Sequence, residues 1–157
     1  MILTFIIAVL IIAGDQLLKF LVVNTLKTGD PVTVLGGLVK FLYCENKGMA
    51  FGMLQNQRWI FIVFTLIVLV AVVAYMFKAK PKSKFLLVTL GFILGGGIGN
   101  LIDRIFLGYV VDYIQLSFFS PICNFADYCI TAGTVMLVIY ILFFTQANEA
   151  KRIKRAE

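Results

Sequence analysis

Four apolar runs, residues 1–23, 59–77, 85–106 and 124–145, set what this chain can fold into. Each is close to the ~20 residues a helix needs to cross a hydrocarbon core. Inside such a core every backbone N–H and C=O must be satisfied without water, which for single runs of this kind means helices. Of the 157 residues, 61% are apolar and 14% charged, outside the range of soluble domains. The expectation is an all-α integral membrane protein, a single membrane domain over residues 1–157 with four transmembrane helices. Outer loops would cover 24–58 and 107–123, with a cytoplasmic loop at 78–84 and a cytoplasmic tail at 146–157.

The formal charge of +6 comes largely from two clusters, Lys78, Lys80, Lys82 and Lys84, then Lys151, Arg152, Lys154 and Arg155. They flank apolar runs and lack interleaved aromatics, so they read as topology signals rather than as a nucleic-acid surface. Both clusters, and with them both termini, are expected in the cytoplasm. The N-terminal run has no basic region before it and continues past Asp15 to Val23 without a small-residue cleavage site, so it should remain as a helix.

Between the first two runs, Val32-Thr33-Val34-Leu35, Gly36-Gly37 and Leu38 to Tyr43 form the pattern of a small β-hairpin on the outer face. Asn46 to Gly52 follows, with small residues that let backbone approach a ligand or another segment. Trp59 opens the second run at the interface level that indoles prefer.

Polar groups within the runs are costly and usually mark a functional or locking site. Asp15, Gln16 and Lys19 lie in the outer part of the first run, with Asp15 and Lys19 spaced to pair on one helix face. Gly91, Gly95 and Gly99 draw a stripe for close helix contact. Gly96, Asn100 and then Asp103 or Arg104 draw a polar one. Asp103 and Arg104 are neighbours in sequence and cannot face each other, so each needs a partner elsewhere. Asp112 stands in the second outer loop, and Asn124 with Asp127 resembles a capping box opening the fourth helix.

The chain has no histidine and three cysteines, Cys44, Cys123 and Cys129, without a CxxC pair. That disfavours a zinc site, and unpaired thiols are favoured over a Cys44–Cys123 bridge. Ser83, Ser117 and Ser120 have no evident base. Paired carboxylates remain: two brought close share one proton, giving an acid and a base that together can hydrolyse an amide. Spacing alone leaves open which two of Asp15, Asp103, Asp112 and Asp127 pair. A magnesium-dependent lipid phosphotransferase fits less well, because Asp103, Asp112 and Asp127 are 9 and 15 positions apart rather than one helical turn. A proton- or cation-binding transporter subunit would place its acids at mid-membrane rather than near helix ends.

Five blocks, Asp15-Gln16 with Lys19, Asn46 to Gly52, Gly95 to Arg104, Val110 to Ile114 and Asn124 to Asp127, together resemble the lipoprotein signal peptidases, or signal peptidase II. The resemblance covers nearly the whole chain. It implies an outer β-cradle at the hairpin, a short surface helix after it, and an active site near the outer face of a bacterial cytoplasmic membrane. It implies an aspartyl endopeptidase that cuts diacylglyceryl-modified prolipoproteins before the lipidated cysteine, with Asp112 and Asp127 as the dyad. Asn46, Gly48, Asn100, Arg104, Asn124 and Ala126 match positions that support the dyad or contact substrate. Asp15, Gln16, Lys19 and Asp103 match structural polar positions. No cofactor and no metal are implied, the partners are prolipoprotein and membrane lipid, and the protein is expected to act as a monomer. Met49, Cys123 and Tyr128 depart from the family pattern and bear on pocket shape.

Overall fold

The computed structural model of the protein describes residues 1–48 and 57–145. Four helices are long and apolar enough to cross a membrane: α1 (Ile2–Leu26), α2 (Arg58–Ala79), α3 (Lys84–Phe106) and α4, which is α-helical over Phe125–Ile139 and ends in a π-helical turn over Tyr140–Thr145. Hydropathy predicts that these segments are helical but not which one is central. Burial decides that: 67% of the apolar window of α3 is buried against 17% of that of α2.

Small residues make α3 the hub. A Cβ on Gly91 or Gly95 would lie within 3.0 Å of Ile7, Ile11 or the backbone of Thr4 and Ala8 on α1. On another face of α3, a Cβ on Gly96 would meet the carbonyl oxygen of Ala126 at 2.6 Å, and Gly133 of α4 answers with equally close approach to Phe92 and Ile93. The stripe of glycines therefore lets two neighbours pack backbone to backbone, where dispersion contacts and not water release hold helices together.

Turns at the two ends have local causes. Lys80 closes α2 in the left-handed conformation at φ 45°, with Pro81 following, and Ser83 caps α3 by accepting from the Leu86 N–H. At the other end Gly108, at φ 85°, turns the chain out of α3, its N–H and that of Leu107 both donating to the Asp103 carbonyl.

Beyond that end lies a four-stranded antiparallel sheet, ordered β1 (Val32–Val34), β2 (Val39–Asn46), β3 (Val110–Leu116), β4 (Phe119–Cys123). The expected hairpin is half of it. The segment 107–123, expected as a loop, is instead the second hairpin, and β3 pairs with β2 through Phe41↔Ile114 and Cys44↔Asp112. Its physical basis is a β-branched and aromatic run, Val110-Val111-Asp112-Tyr113-Ile114, after a turn glycine. Val111 and Tyr113 on one face of β3 pack with Val22 of α1, with Phe125 alongside, which seats the sheet on the bundle. Cys44 and Cys123 lie on β2 and β4 with β3 between them, so their Cα atoms are about two strand spacings, ~10 Å, apart and beyond disulfide reach. The segment expected as a surface helix and the C-terminal basic cluster lie outside the described residues, as does Met49.

Candidate active site at the sheet end of the bundle

Two groups of carboxylates converge where α1, α3 and α4 meet the sheet. The first is a lock. Lys19 Nζ lies 2.8 Å from Asp15 Oδ2, 3.0 Å from Asp103 Oδ2 and 3.0 Å from the Asn100 Oδ1, so its three protons are all engaged. Gln16 Nε2 adds bonds to Asp103 Oδ1 at 3.1 Å and to the Gly99 carbonyl at 3.2 Å. Asp103 also accepts from the Val111 N–H at 3.0 Å, and Asp15 from the Ala126 N–H at 3.1 Å. One buried ammonium thus ties α1 to α3, and its two carboxylate partners extend the tie to β3 and α4. Gly99 is required here in the strict sense, because a Cβ would sit 2.7 Å from Asp15 Oδ2.

The start of α4 shows how closely this end is determined. A helix leaves its first four N–H groups without helical partners. Here Phe125 N donates to Tyr113 Oη, Ala126 N to Asp15 and Asp127 N to Asn124 Oδ1 at 2.9 Å, while Tyr128 N to the Asn124 carbonyl is the first bond of the helix itself. The Asp127 carboxylate returns the bond by accepting from the Asn124 N–H at 3.1 Å, completing the capping box. Ala126 is fully buried between these contacts, and its role is backbone donation and close fit to Gly96 rather than side-chain chemistry.

The second group is Asp112 with Asp127, joined through Asn124. Asn124 Nδ2 donates to Asp112 Oδ1 at 2.6 Å while its Oδ1 and backbone N–H serve Asp127. Asn46 Nδ2 donates to Asp112 Oδ2 at 2.7 Å, and Asn100 Nδ2 to Asp127 Oδ1 at 2.7 Å. Each of the three amides has its orientation set by a second bond: Asn46 Oδ1 accepts from Gly48 N, Asn100 Oδ1 from Lys19, Asn124 Oδ1 from Asp127 N. All four carboxylate oxygens therefore meet neutral N–H donors of fixed direction. Among the described residues no lysine or arginine nitrogen reaches either carboxylate within 4.0 Å.

That arrangement raises the affinity of the pair for a proton. Burial, then the charge of Asp127, pushes the Asp112 carboxyl up to about 7 against the opposing bonds from Asn46 and Asn124. Arg104 is partly buried, donates to the Asn100 carbonyl at 3.4 Å and lies over the Phe61 ring, within electrostatic reach of Asp127 and Asp112 but not bonded to them. Cys44 stands opposite Asp112 across the β2–β3 ladder, and Cys123 opposite Ile114. Burial pushes both thiols up, that of Cys123 to about 11, with Asp112 adding to each shift. Neither is a ready nucleophile at neutral pH.

Sequence reading did not find the link from Lys19 through Asn100 to Asp127, nor the bond from Tyr113 to the first residue of α4. Both join residues far apart in the chain, and no local spacing marks them. The strand that carries Asp112 did have a signal, the β-branched run after Gly108.

The sequence model of a family described as Signal peptidase (SPase) II matches residues 7–143. The chain is 37% identical over 144 residues to the lipoprotein signal peptidase of Lactobacillus johnsonii, covering 91% of this chain and 94% of that protein. It is 36% identical over 143 residues to the lipoprotein signal peptidase of Geobacillus thermodenitrificans, covering 89% of each. Among solved structures, a bacterial membrane enzyme determined in meso at 2.3 Å superposes with a TM-score of 0.83 at 32% identity, over 90% of this chain and 88% of that one. A second, determined in meso at 1.9 Å, gives 0.81 at 32% identity, over 89% and 92%.

Proposed function

The chain belongs to the signal peptidase II family, whose members process prolipoproteins, and we propose that it does so as an aspartyl endopeptidase with Asp112 and Asp127 as its dyad. The substrate is a diacylglyceryl-modified prolipoprotein, and the bond cut is the amide on the N-terminal side of the lipidated cysteine. The observation that carries this reading is the pair itself: a buried and a half-buried carboxylate held to one asparagine and met by neutral donors alone.

At neutral pH the pair holds one proton. Its place is chiefly on Asp112, whose carboxyl is pushed up to about 7, while Asp127 sits at the positive end of α4 and caps it. Asp127 takes a proton from water as the water oxygen attacks the scissile carbonyl, and Asp112 gives its proton to the carbonyl oxygen. A neutral gem-diol results. Asp127 then passes its proton to the leaving nitrogen, the C–N bond breaks, and a gem-diol proton returns to Asp112 as the new carboxyl forms. One water is consumed and the dyad is restored.

Asn46, Asn100 and Asn124 hold the carboxylates in place, and Gly48 fixes Asn46 through its N–H. Arg104, partly buried at the rim and not bonded to either carboxylate, is the residue of this set best placed to meet substrate. Asp15, Gln16, Lys19 and Asp103 serve the fold. All these groups come from one chain, which supports action as a monomer. The lysine turn between α2 and α3 belongs in the cytoplasm by its charge, which puts the dyad, at the opposite ends of the helices, near the outer face.

The test is turnover of a precursor in lipid-modified and unmodified forms by purified full-length protein, with and without chelator. Cleavage of the modified form alone, indifferent to chelator, is expected. Turnover retained in Asp112→Asn or Asp127→Asn would sink the dyad, and loss on chelation would point to a metal mechanism.

A further inference from the structure

The end of the bundle away from the dyad carries a second built feature. α2 packs loosely, and between it, α3 and the end of α4 lies a groove of ≈ 500 Å³ lined by Ala71 and Tyr75 of α2, Leu86 and Leu90 of α3, and Leu137 and Tyr140 of α4. Its size is that of a lipid- or drug-sized site, and its wall is almost wholly apolar. Tyr140, which lines the groove, is also where α4 leaves α-helical geometry for a π-helical turn, a widening that recurs at functional positions. Phe85, Tyr140 and Phe144 stack there at centroid distances of 5.4–6.5 Å, bracing the widened turn against α3.

The turn joining α2 to α3, at that same end, presents Lys78, Lys80, Lys82 and Lys84, all exposed. Its shape is set by the left-handed cap at Lys80, Pro81 and the Ser83 cap, so the four ammonium groups are displayed on a fixed turn rather than a free loop. The sequence has no acidic residue between Glu45 and Asp103 to neutralise them. The first turn of α3 contains no acid, which leaves the positive end of its dipole beside the same lysines.

From an apolar groove and a turn of four exposed lysines at the same end of the bundle, we propose that this end of the protein binds one anionic phospholipid, with an acyl chain lying between α2, α3 and α4 and the phosphate held by the lysine turn. A zwitterionic lipid offers the same chain but no net charge, so selectivity comes from the headgroup and residence from the groove. Each lysine near headgroup level contributes roughly a fivefold preference for a negative lipid surface. The bound chain fills the space that leaves α2 loosely held, so occupancy braces α2 against α3.

The full-length protein, released from vesicles of phosphatidylglycerol and phosphatidylcholine in equal parts, is weighed intact by native mass spectrometry. One phosphatidylglycerol should stay bound in roughly tenfold or greater preference. Lys78→Gln/Lys80→Gln/Lys82→Gln/Lys84→Gln should bring the two lipids to parity, with Lys82→Gln/Lys84→Gln intermediate. Ala71→Phe, which fills the groove, should lose both lipids, and peptidase activity in these variants checks that they are folded. Equal retention by the unaltered protein, a preference that survives the four substitutions, or unchanged retention in Ala71→Phe each overturns the proposal. So does a lipid-independent dimer abolished by Ala71→Phe, which would make a second copy the occupant, or equal competition by soluble glycerol phosphate, which would make the groove irrelevant.

Discussion

The lock and the proposed dyad are built from the same residue type and joined through Asn100, yet the groups that surround their carboxylates differ in kind. In the lock, Asp15 and Asp103 share one ammonium, Lys19 Nζ lying within 3.0 Å of each. In the dyad, Asp112 and Asp127 receive only amide and backbone N–H bonds. A full countercharge fixes a carboxylate in one protonation state, whereas neutral donors fix its position and leave its proton free to move. Asn100 belongs to both, accepting from Lys19 and donating to Asp127.

The widest gap between the two regions should appear when a single charge is removed from each. Asp127→Asn and Asp112→Asn are expected to lower cleavage by at least the ~10²–10⁴-fold typical of lost general acid–base catalysis, with cooperative unfolding preserved. Lys19→Met should do the reverse in kind, costing roughly 3–5 kcal/mol of stability because two buried carboxylates lose their cation. Thermal unfolding of the purified variants checks this. Partial recovery in Lys19→Met/Asp103→Asn would sharpen it, and a Lys19→Met protein as stable as the parent would break it.

How far these two regions could be read from the chain follows from their geometry. The helices were legible because a bilayer requires runs of ~20 apolar residues, and Asp15–Lys19 and Asn124–Asp127 because their spacings are local. The second hairpin was missed as structure: its strands β3 and β4 are 7 and 5 residues long, and alternation is weak where Val110 to Tyr113 are buried on both faces. The pairing of Asp112 with Asp127 did not follow from spacing, which left four aspartates open, and came only with the family resemblance. Partners such as Lys19 and Asn100, 81 positions apart, meet through the glycine stripe of α3, which signals closeness without saying what is brought close.

At the residue the two regions share, the expected effect is intermediate. Asn100→Ala removes one donor from Asp127 and one acceptor from Lys19, while Asp15 and Asp103 still hold the ammonium. A loss of about 10–100-fold in turnover with little change in KM is expected, the scale seen when a group that orients a reacting one is deleted. An equal fall in stability and none in activity would assign Asn100 to the lock alone.

The pH dependence of rate separates the regions without mutation. Asp112 must carry the proton to act as the acid, so with its carboxyl pushed up to about 7, kcat/KM should fall on the alkaline side from near pH 7. Asn46→Ala removes a bond that favours the ionised form and should move that limb to higher pH. Movement to lower pH would mean the proton resides elsewhere.

The smallest effect is also the most discriminating in sign. Asp112 binds its proton more tightly folded than unfolded, where its ordinary value is 3.8 against about 7 here. Between those values the folded protein holds more protons, so its stability must decline as pH rises through that window. Asp112→Asn carries no such penalty, although its amide turns an N–H toward one of two donors, which offsets part of the gain. The stability of the parent relative to Asp112→Asn should therefore fall between pH 4 and pH 8, whatever the offset at either end. A difference that stays flat across that window would mean that Asp112 does not hold the mobile proton of the pair.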